Sequence, residues 1–233
     1  MSGPLSVGID VGSTTVKLVA IRGGGELVYG RYERHRSDIR AALAGLLAEA
    51  AREMGELASG IPVAVTGSAG IGEAERLGLP FVQEVMACCA AVDALMPEAD
   101  VAIELGGEDA KISYFGDQVE QRMNGSCAGG TGSFIDQMAV LLATDPGGLD
   151  ELASRYRTIY PIAARCGVFA KADVQPLVNE GARREDVAAS IFQAVVNQTI
   201  SGLACGRPIK GRVAFLGGPL HYLPQLRRRF AET

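Results

Sequence analysis

Two repeating patterns of hydrophobic and polar residues divide this chain into strands and helices. Short runs rich in β-branched residues, each ended by glycine or a charged residue, predict strands, and apolar positions three and four residues apart predict helices. In the first part of the chain the predicted elements are strands near 5–10, 15–21 and 26–33, a helix near 37–55, the strand IPVAVTG, and helices near 71–77 and 84–96. Ser37 is the expected N-cap of the first helix.

The second part of the chain repeats this order of strands followed by helices. The predicted elements are strands near 101–105, 110–115 and 118–123, helices near 127–143, 166–179 and 184–204, the strand RVAFLGG, and a final helix with Pro219 in its first turn. Three strands followed by helices, twice over, indicate two α/β lobes with a cleft between them. We expect the N-terminal lobe at 1–97 and the C-terminal lobe at 98–233.

Two short segments indicate that the lobes are related. Residues 7–17 read VGIDVGSTTVK, and residues 101–111 read VAIELGGEDAK. Each is a β-rich run that ends in an acid, Asp10 or Glu104, followed by a glycine-containing turn and by a lysine seven residues after the acid. Since the two acids are 94 residues apart (104 − 10), the match favours an internal duplication. The alternative is two ordinary glycine hairpins that agree by chance.

Composition limits the classes of function. The chain has 233 residues, of which 48% are hydrophobic, and no apolar run approaches the ~20 residues that span a membrane. A net charge of −5 argues against nucleic acid as a partner. The N-terminus lacks a basic and then apolar leader, so we expect a cytoplasmic protein.

The turn after the first strand, DVGSTT, has the composition of a phosphate-binding turn. It offers closely spaced backbone N–H groups, two threonine hydroxyls and no side chain at Gly12. Asp10 ends an apolar strand, where a carboxylate needs a partner, and Mg²⁺ with its waters is a natural one. The predicted nucleotide-binding residues here are Gly12, Ser13, Thr14, Thr15 and Lys17.

Two more glycine motifs follow in the second lobe. The turn ELGGEDA carries three acids that would orient a metal ion and an attacking water, and FLGGPL brings glycine backbone where it can approach a flat ring or a phosphate. The predicted catalytic acids are Asp10 of the first turn and Glu104, Glu108 and Asp109 here, and the predicted nucleotide-binding glycines are Gly106, Gly107, Gly217 and Gly218. Each motif alone is compatible with a simple tight turn, whereas the three in this order favour a nucleotide site.

The five cysteines fall into two groups. Their odd number and the absence of disulfide-framework spacing suit a reducing compartment. Cys88, Cys89 and Cys205 lie in or at the end of apolar helical runs, where we expect small core residues. Cys127 and Cys166 differ, because glycine and polar residues flank each of them. Reduced structural thiols are the alternative to a functional role for this pair.

The order of motifs DVGSTTVK, ELGGEDAK, NGSCAGGTGSFIDQMA, RCGVFAKADV and GGP resembles the activators of 2-hydroxyacyl-CoA dehydratases and the related ATPase subunits of benzoyl-CoA reductases. The similarity covers nearly the whole chain and is greatest to the first ATPase domain of the long, multi-domain activases. It implies an α/β fold of the actin/Hsp70/sugar-kinase (ASKHA) type, with duplicated ribonuclease-H-like lobes and a nucleotide cleft between the lobes. Compact activators continue into a further strand and helix, so the resemblance also implies that C-terminal elements are truncated here.

The resemblance further implies an ATPase coupled to electron transfer. Asp10 would hold Mg²⁺ through water, and Gly217 and Gly218 would border the adenosine of ATP. Cys127 and Cys166 match the family's iron–sulfur ligands. Because two thiolates are half of the usual ligand set, one [4Fe–4S] cluster would be shared across a homodimer. Helices that begin at each cysteine would direct N–H groups towards the anionic cluster.

The resemblance also implies partner proteins, and the sequence departs from the family pattern at two positions. The electron acceptor would be a 2-hydroxyacyl-CoA dehydratase or a benzoyl-CoA reductase-like enzyme, either separate or on the same longer chain, and the donor a ferredoxin- or flavodoxin-type protein. No nucleic acid or membrane is expected. Glu104 stands where compact activators have Asp, and Glu108 where they have Gln, so the acid that positions the attacking water is open among Glu104, Glu108 and Asp109.

Two other functions are compatible with this sequence. A small-molecule kinase of the same superfamily, of the amino-sugar or pantothenate type, would need an acceptor site with its own catalytic Asp, and no convincing one is present. A non-redox, ATP-dependent module that binds partner proteins is the other alternative.

Overall fold

The structure, a computed structural model, describes residues 3–23, 25–55, 60–124, 129–163 and 167–233. The chain folds as two units, Met1–Pro97 and Glu98–Thr233. Each unit has its own sheet and its own buried core.

Unit 1 is a four-stranded sheet with helices. Its elements are β1 (Leu5–Val11), β2 (Thr15–Arg22), β3 (Glu26–Arg34), α1 (Ile39–Met54), β4 (Val63–Thr66), α2 (Gly70–Leu77) and α3 (Glu84–Leu95). The strand order is β3-β2-β1-β4, with β1 antiparallel to β2 and parallel to β4. Leu43, Leu46 and Ala50 of α1 are buried in one core cluster with alternate residues of β1 and β2, as the periods of helix and strand predict.

The N-cap of α1 is Asp38, and the prediction of Ser37 is wrong. The Asp38 carboxylate accepts a hydrogen bond from Ala41 N–H at 3.0 Å. Ser37 instead has a left-handed backbone (φ 69°), and its N–H donates to the ring of His35. Ser37 therefore belongs to the turn before the helix, where its N–H bonds to His35.

Unit 2 repeats the arrangement with additional helices. Its elements are β5 (Val101–Leu105), β6 (Ala110–Tyr114), β7 (Glu120–Met123), α4 (Gly132–Leu141), α5 (Pro146–Ala153), α6 (Gly167–Asn179), α7 (Arg184–Thr199), a π-helical turn (Ile200–Ala204), β8 (Val213–Leu216), α8 (Gly218–Tyr222) and α9 (Pro224–Glu232). The strand order is β7-β6-β5-β8, with β5 antiparallel to β6 and parallel to β8. The predicted duplication is confirmed, because both sheets have the same order and the same strand directions.

The segment Arg184–Ala204 is the central helix of unit 2. It is long and apolar enough to cross a membrane by length and composition alone, but 67% of its most apolar window is buried inside the protein. Its buried residues, including Ile191 and Phe192, belong to the core cluster of unit 2. A helix that is apolar on most sides is explained by a position in the middle of a core.

Three helix predictions in unit 2 need correction. The helix predicted from residue 127 begins at Gly132, because Gly130 is left-handed (φ 82°) and Thr131 is extended (φ −111°, ψ 176°). Helix α5 was missed because PGG is typical of a turn, whereas Asp145 caps it by accepting from Gly148 N–H at 2.7 Å. The final helix divides into α8 and α9 at Pro224, which lacks the N–H needed to continue α8.

The described cysteines are less buried than expected. Cys88 and Cys89 are half-buried, and Cys205 is exposed, so the prediction of a core position for Cys205 is wrong. Cys205 follows the π-helical turn in a left-handed conformation (φ 46°), with its Sγ 3.3 Å from Gly202 O. Cys205 is therefore not a member of the core cluster of unit 2.

Candidate functional site

The first glycine turn joins β1 to β2 and is closed by its own backbone. Gly12 N–H donates to Thr15 O at 2.9 Å. A Cβ at Gly12 would lie 3.3 Å from Lys17 Nζ, so a larger residue would crowd the lysine. The closing bond leaves the N–H groups of Ser13 and Thr14 at the tip, where both residues are partly exposed. All the nucleotide-binding residues predicted in this turn therefore lie together.

Asp10 and Lys17 form an ion pair across the first hairpin. They are directly opposite one another in the β1–β2 register, and Lys17 Nζ lies 2.9 Å from Asp10 Oδ2. The other carboxylate oxygen, Oδ1, is buried and has no hydrogen-bond partner in the described part of the chain. A Cβ on Gly67 would overlap this oxygen and Val11 O, and Gly67 has φ 98°, so only glycine fits there.

A cavity of about 360 Å³ lies beside Asp10 within unit 1. Its polar wall consists of Asp10, Lys17 and Thr66, and most of the rest of its lining is apolar. Thr66 is paired with Asp10 in the β1–β4 register. Its hydroxyl oxygen, like Asp10 Oδ1, is buried without a partner among the described residues. Unsatisfied buried oxygens are uncommon, and two of them beside one cavity indicate a binding site.

The second glycine turn joins β5 to β6 and has the same closure. Gly106 N–H donates to Asp109 O at 2.8 Å, which matches the Gly12–Thr15 bond 94 residues earlier (106 − 12). The Asp109 carboxylate folds back over Gly106, where a Cβ would overlap it. The predicted residues Gly106, Gly107 and Asp109 therefore lie in one turn.

Lys111 is nearly buried between two of the three predicted catalytic acids of unit 2. Its side chain is 4% exposed, and its Nζ lies 2.6 Å from Asp109 Oδ2 and 3.4 Å from Glu104 Oε1. Glu104 is directly opposite Lys111 in the β5–β6 register, as Asp10 is opposite Lys17. Glu108 differs from the other two acids, because it is exposed at the tip of the turn.

The third motif, Gly217–Gly218, lies where β8 ends and α8 begins. Gly217 has φ 87°, and a Cβ there would overlap Leu105 O, so glycine is required. Gly67 occupies the corresponding place after β4 in unit 1. Sequence reasoning missed Gly67 and Thr66, although a signal was present: VAVTG and VAFLG each consist of a four-residue strand that begins with Val-Ala and is followed directly by a glycine.

The start of α4 contacts two of the motifs of unit 2. Gly132 N–H donates to Gly106 O at 2.9 Å, and Ser133 N–H donates to Gly107 O at 2.7 Å. A Cβ on Gly132 would lie 3.3 Å from the Pro219 ring. The second glycine turn, the beginning of α4 and the Gly217–Gly218 motif are therefore packed together.

Both predicted cluster ligands, Cys127 and Cys166, lie outside the described residues. The helices that follow them in sequence do contact one another, because a Cβ on Gly167, the first residue of α6, would lie 3.3 Å from the Phe134 ring of α4. Within the described ranges, no group of three His, Cys, Asp or Glu side chains is arranged to hold a metal ion.

Comparison with known families decides the class of protein. The family model described as the BadF/BadG/BcrA/BcrD ATPase family matches residues 7–228. The chain belongs to this family. The matched residues of this ATPase family member include both glycine turns, both cysteine segments and the Gly217–Gly218 motif.

Characterised relatives of this family member are activators. The chain is 29% identical to the (R)-2-hydroxyglutaryl-CoA dehydratase activating ATPase of Acidaminococcus fermentans over 222 residues, which is 91% of this chain and 82% of that protein. The crystal structure of component A of that dehydratase system has a TM-score of 0.89 at 26% identity and covers 99% of this chain and 88% of that one. The 2-hydroxyisocaproyl-CoA dehydratase activator of Clostridium difficile with bound ADPNP has a TM-score of 0.86 at 25% identity, covering 98% and 85%.

More distant structures show the fold alone. A putative 2-dehydro-3-deoxygalactonokinase from Sinorhizobium meliloti has a TM-score of 0.57 at 15% identity and covers 97% of this chain and 90% of that one. The predicted α/β fold of the actin and sugar-kinase type is confirmed by this likeness together with the activator structures.

Proposed function

We propose that this protein is an ATP-hydrolysing activator that passes a low-potential electron to a 2-hydroxyacyl-CoA dehydratase or a benzoyl-CoA reductase-like partner. The observation that carries the proposal is the pair of matching glycine turns, each with an acid opposite a lysine, in a chain of an ATPase family. Such turns need a metal ion and an oriented water to hydrolyse ATP, but no covalent nucleophile.

The donor set of the first turn fits Mg²⁺. Asp10 Oδ1 is a buried oxygen without a protein partner in the described ranges, and carboxylate oxygen is the ligand type that Mg²⁺ prefers, usually with waters retained. We assign Asp10 to hold Mg²⁺ through water. Mg²⁺ in that position would neutralise negative charge on the phosphates.

The remaining residues of the two turns bind phosphate and orient water. In the first turn the N–H groups of Ser13 and Thr14, the threonine hydroxyls and Lys17 are the donors to phosphate oxygens. In the second turn Gly106 and Gly107 allow the backbone to approach, and Lys111 holds Glu104 and Asp109 in place. One of Glu104, Glu108 and Asp109 positions the attacking water. Gly217 and Gly218 border the adenosine.

Cys127 and Cys166 are assigned as the protein's ligands to a [4Fe–4S] cluster. Support comes from the family membership and from the contact between α4 and α6, the helices that follow the two cysteines in sequence. Two thiolates from each of two copies would complete the ligand set of one cluster in a homodimer. The cluster would supply one-electron transfer from a ferredoxin- or flavodoxin-type donor to the acceptor enzyme.

The expected support from a helix end differs between the two cysteines. Helix α6 begins at Gly167, directly after Cys166, but α4 begins five residues after Cys127 (132 − 127). Favourable interaction with a helix N-terminus falls off within the first turn. We therefore assign such electrostatic support to Cys166 alone.

Anaerobic ATP-dependent electron transfer tests the proposed function. The purified protein should be brown, hydrolyse Mg²⁺–ATP, and, after chemical reduction, pass electrons to a one-electron acceptor dye faster with ATP than with ADP. The Cys88→Ser variant is the matched control and should behave like the wild type, since Cys88 lies on half-buried α3. A colourless protein that phosphorylates an amino sugar or pantothenate would contradict the proposal.

A further inference from the structure

The residue that follows the third strand of each sheet contacts the glycine turn of that sheet or the residue directly after the turn. In unit 1 this residue is His35, directly after β3, and in unit 2 it is Asn124, directly after β7. Neither has a role in the assignments above. Each makes these contacts with its backbone and with its side chain.

Among the described residues, His35 takes part in four hydrogen bonds, two of which end on the first turn, and its carbonyl oxygen accepts one of the others from Asp38 N–H at 2.7 Å. Its N–H donates to Thr14 O at 3.2 Å, and its Nε2 lies 3.3 Å from Gly12 O. Ser37 N–H donates to Nδ1 at 3.1 Å. Because Nδ1 accepts a hydrogen bond it carries no proton, so Nε2 is the ring nitrogen that donates to Gly12 O.

Asn124 contacts Ala110, the first residue of β6, which directly follows the closing bond of the second turn. Its N–H donates to Ala110 O at 3.0 Å, and its Oδ1 accepts from Ala110 N–H at 2.7 Å. Ala110 directly follows Asp109, whose carbonyl closes the turn. The residue after the third strand therefore holds the chain at the turn in both units, but at different positions: His35 contacts Gly12 and Thr14 within the first turn, and Asn124 contacts the residue directly after the second turn.

The backbone around His35 is strained in order to place the ring. Arg36 (φ 47°) and Ser37 (φ 69°) are consecutive left-handed residues, and neither is glycine. Such conformations persist only where the surrounding structure fixes them, and they concentrate at functional sites. Here they direct Ser37 N–H back onto Nδ1, which fixes the tautomer that donates to the turn. His35 itself is only 8% exposed.

We propose that His35 and Asn124 are positioning residues, each of which holds one glycine turn in the shape that binds the phosphates of ATP. The proposal rests on the proposed function for the ligand of the turns. Neither side chain is proposed to touch the nucleotide. Each side chain fixes a backbone group next to the groups that bind phosphate. Removing the side chain should therefore raise the dissociation constant of the nucleotide while changing the free energy of unfolding little.

Binding of a non-hydrolysable ATP analogue with Mg²⁺, measured by calorimetry on the full chain, tests His35 with two mild substitutions. His35→Asn keeps an acceptor near the position of Nδ1 for Ser37 N–H but is too short to reach Gly12 O. His35→Gln keeps a donor near the position of Nε2. We expect His35→Asn to raise the dissociation constant about three- to tenfold, the value of one hydrogen bond, and His35→Gln to restore most of the affinity.

Asn124 is tested in the same way. Asn124→Ala removes the acceptor of Ala110 N–H and should raise the dissociation constant by a similar factor, whereas Asn124→Asp keeps an acceptor oxygen and should bind nearly as the wild type does.

Two control variants separate an effect on local stability from an effect on the position of the turn. Asp38→Ala removes the cap of α1, and Gln121→Leu removes a 3.1 Å bond from β7 to Ser113, and neither of these side chains contacts a turn. Both controls should lower the unfolding midpoint and leave the dissociation constant unchanged.

The possible outcomes are distinguishable. Equal analogue affinity for the wild type, His35→Asn and Asn124→Ala would overturn the positioning proposal and leave the proposed function intact. Equal loss of affinity in the two control variants would also overturn it, because any local destabilisation would then produce the effect. A wild-type protein that does not bind the analogue would overturn both proposals.

Discussion

The acid and the lysine seven residues later are opposite one another in both hairpins, but they are buried to different degrees. Lys17 and Asp10 are 28% and 35% exposed, whereas Lys111 is 4% exposed between Glu104 and Asp109. The spacing in the sequence predicts the pairing, since a two-strand hairpin brings these positions together. It does not predict that the second lysine serves two acids, because that depends on how the Asp109 side chain folds back over Gly106.

Asp10→Asn should abolish Mg²⁺-dependent ATP hydrolysis and leave the fold intact. The amide has nearly the same shape but lacks the charge that holds a hydrated Mg²⁺. Steady-state phosphate release with varied Mg²⁺ measures the effect, and circular dichroism checks the fold. Asp93→Asn on the exposed face of α3 is the matched control and should hydrolyse ATP normally. Unchanged turnover in Asp10→Asn would show that the first turn is only structural.

Lys111→Met should destabilise the protein more than Lys17→Met does. Removing the buried cation takes away its ion pairs with Glu104 and Asp109, and we expect a loss of about 1–3 kcal/mol in the free energy of unfolding. The Asp10–Lys17 pair is partly solvated, so its loss should cost less than about 1 kcal/mol. Urea unfolding of both variants gives the comparison. Equal losses would contradict the difference in burial.

At the scale of elements, the strands were predicted more closely than the helices of unit 2. Each strand bound lies within two residues of its prediction, because β-rich runs end at glycines and charges that also end the strands. The first residue of α4 could not be predicted from the sequence. Gly130 and Thr131 have non-helical backbone angles, although the residues around them are compatible with a helix. His35 and Asn124 also gave no signal, because a single His or Asn has no local pattern and its partner lies 23 or 14 residues away.

Gly67→Ala should destabilise unit 1 even though alanine is a small residue. The backbone at Gly67 has φ 98°, and the added Cβ would overlap Asp10 Oδ1 and Val11 O. We expect a loss of about 1–3 kcal/mol in the free energy of unfolding. Thermal or urea unfolding measures it.

Gly72→Ala is the matched control for this substitution. Gly72 lies in α2, and a Cβ there has no atom within 4 Å. Alanine is favoured over glycine in a helix by about 0.8–1 kcal/mol, so this variant should be as stable as the wild type or more so. A Gly67→Ala protein as stable as Gly72→Ala would disprove the requirement for glycine after β4.

At the scale of the whole molecule, the sequence predicted the duplication but only some of the residues that are equivalent in the two units. The segments at 7–17 and 101–111 predicted two related sheets, and the sheets have the same order and directions. The glycine turns of the candidate site could be predicted because each combines a strand end, an acid and glycine within a few residues. Thr66 and Gly67 were missed because the match between VAVTG and VAFLG is short, and its meaning becomes clear only when β4 and β8 are seen to lie parallel to β1 and β5.

The central claim is that two copies of this chain share one [4Fe–4S] cluster through Cys127 and Cys166. The most direct test is the anaerobic measurement of iron and acid-labile sulfide per dimer, with the mass in solution, for the wild type and Cys127→Ser. A symmetric dimer loses two of four ligands with each single substitution, and a hydroxyl is a poor ligand for iron compared with thiolate. We predict about four iron and four sulfide per wild-type dimer and neither in Cys127→Ser, which should still bind ATP. A Cys127→Ser protein with a full complement of iron and sulfide, or an iron-free wild-type monomer, would contradict the claim.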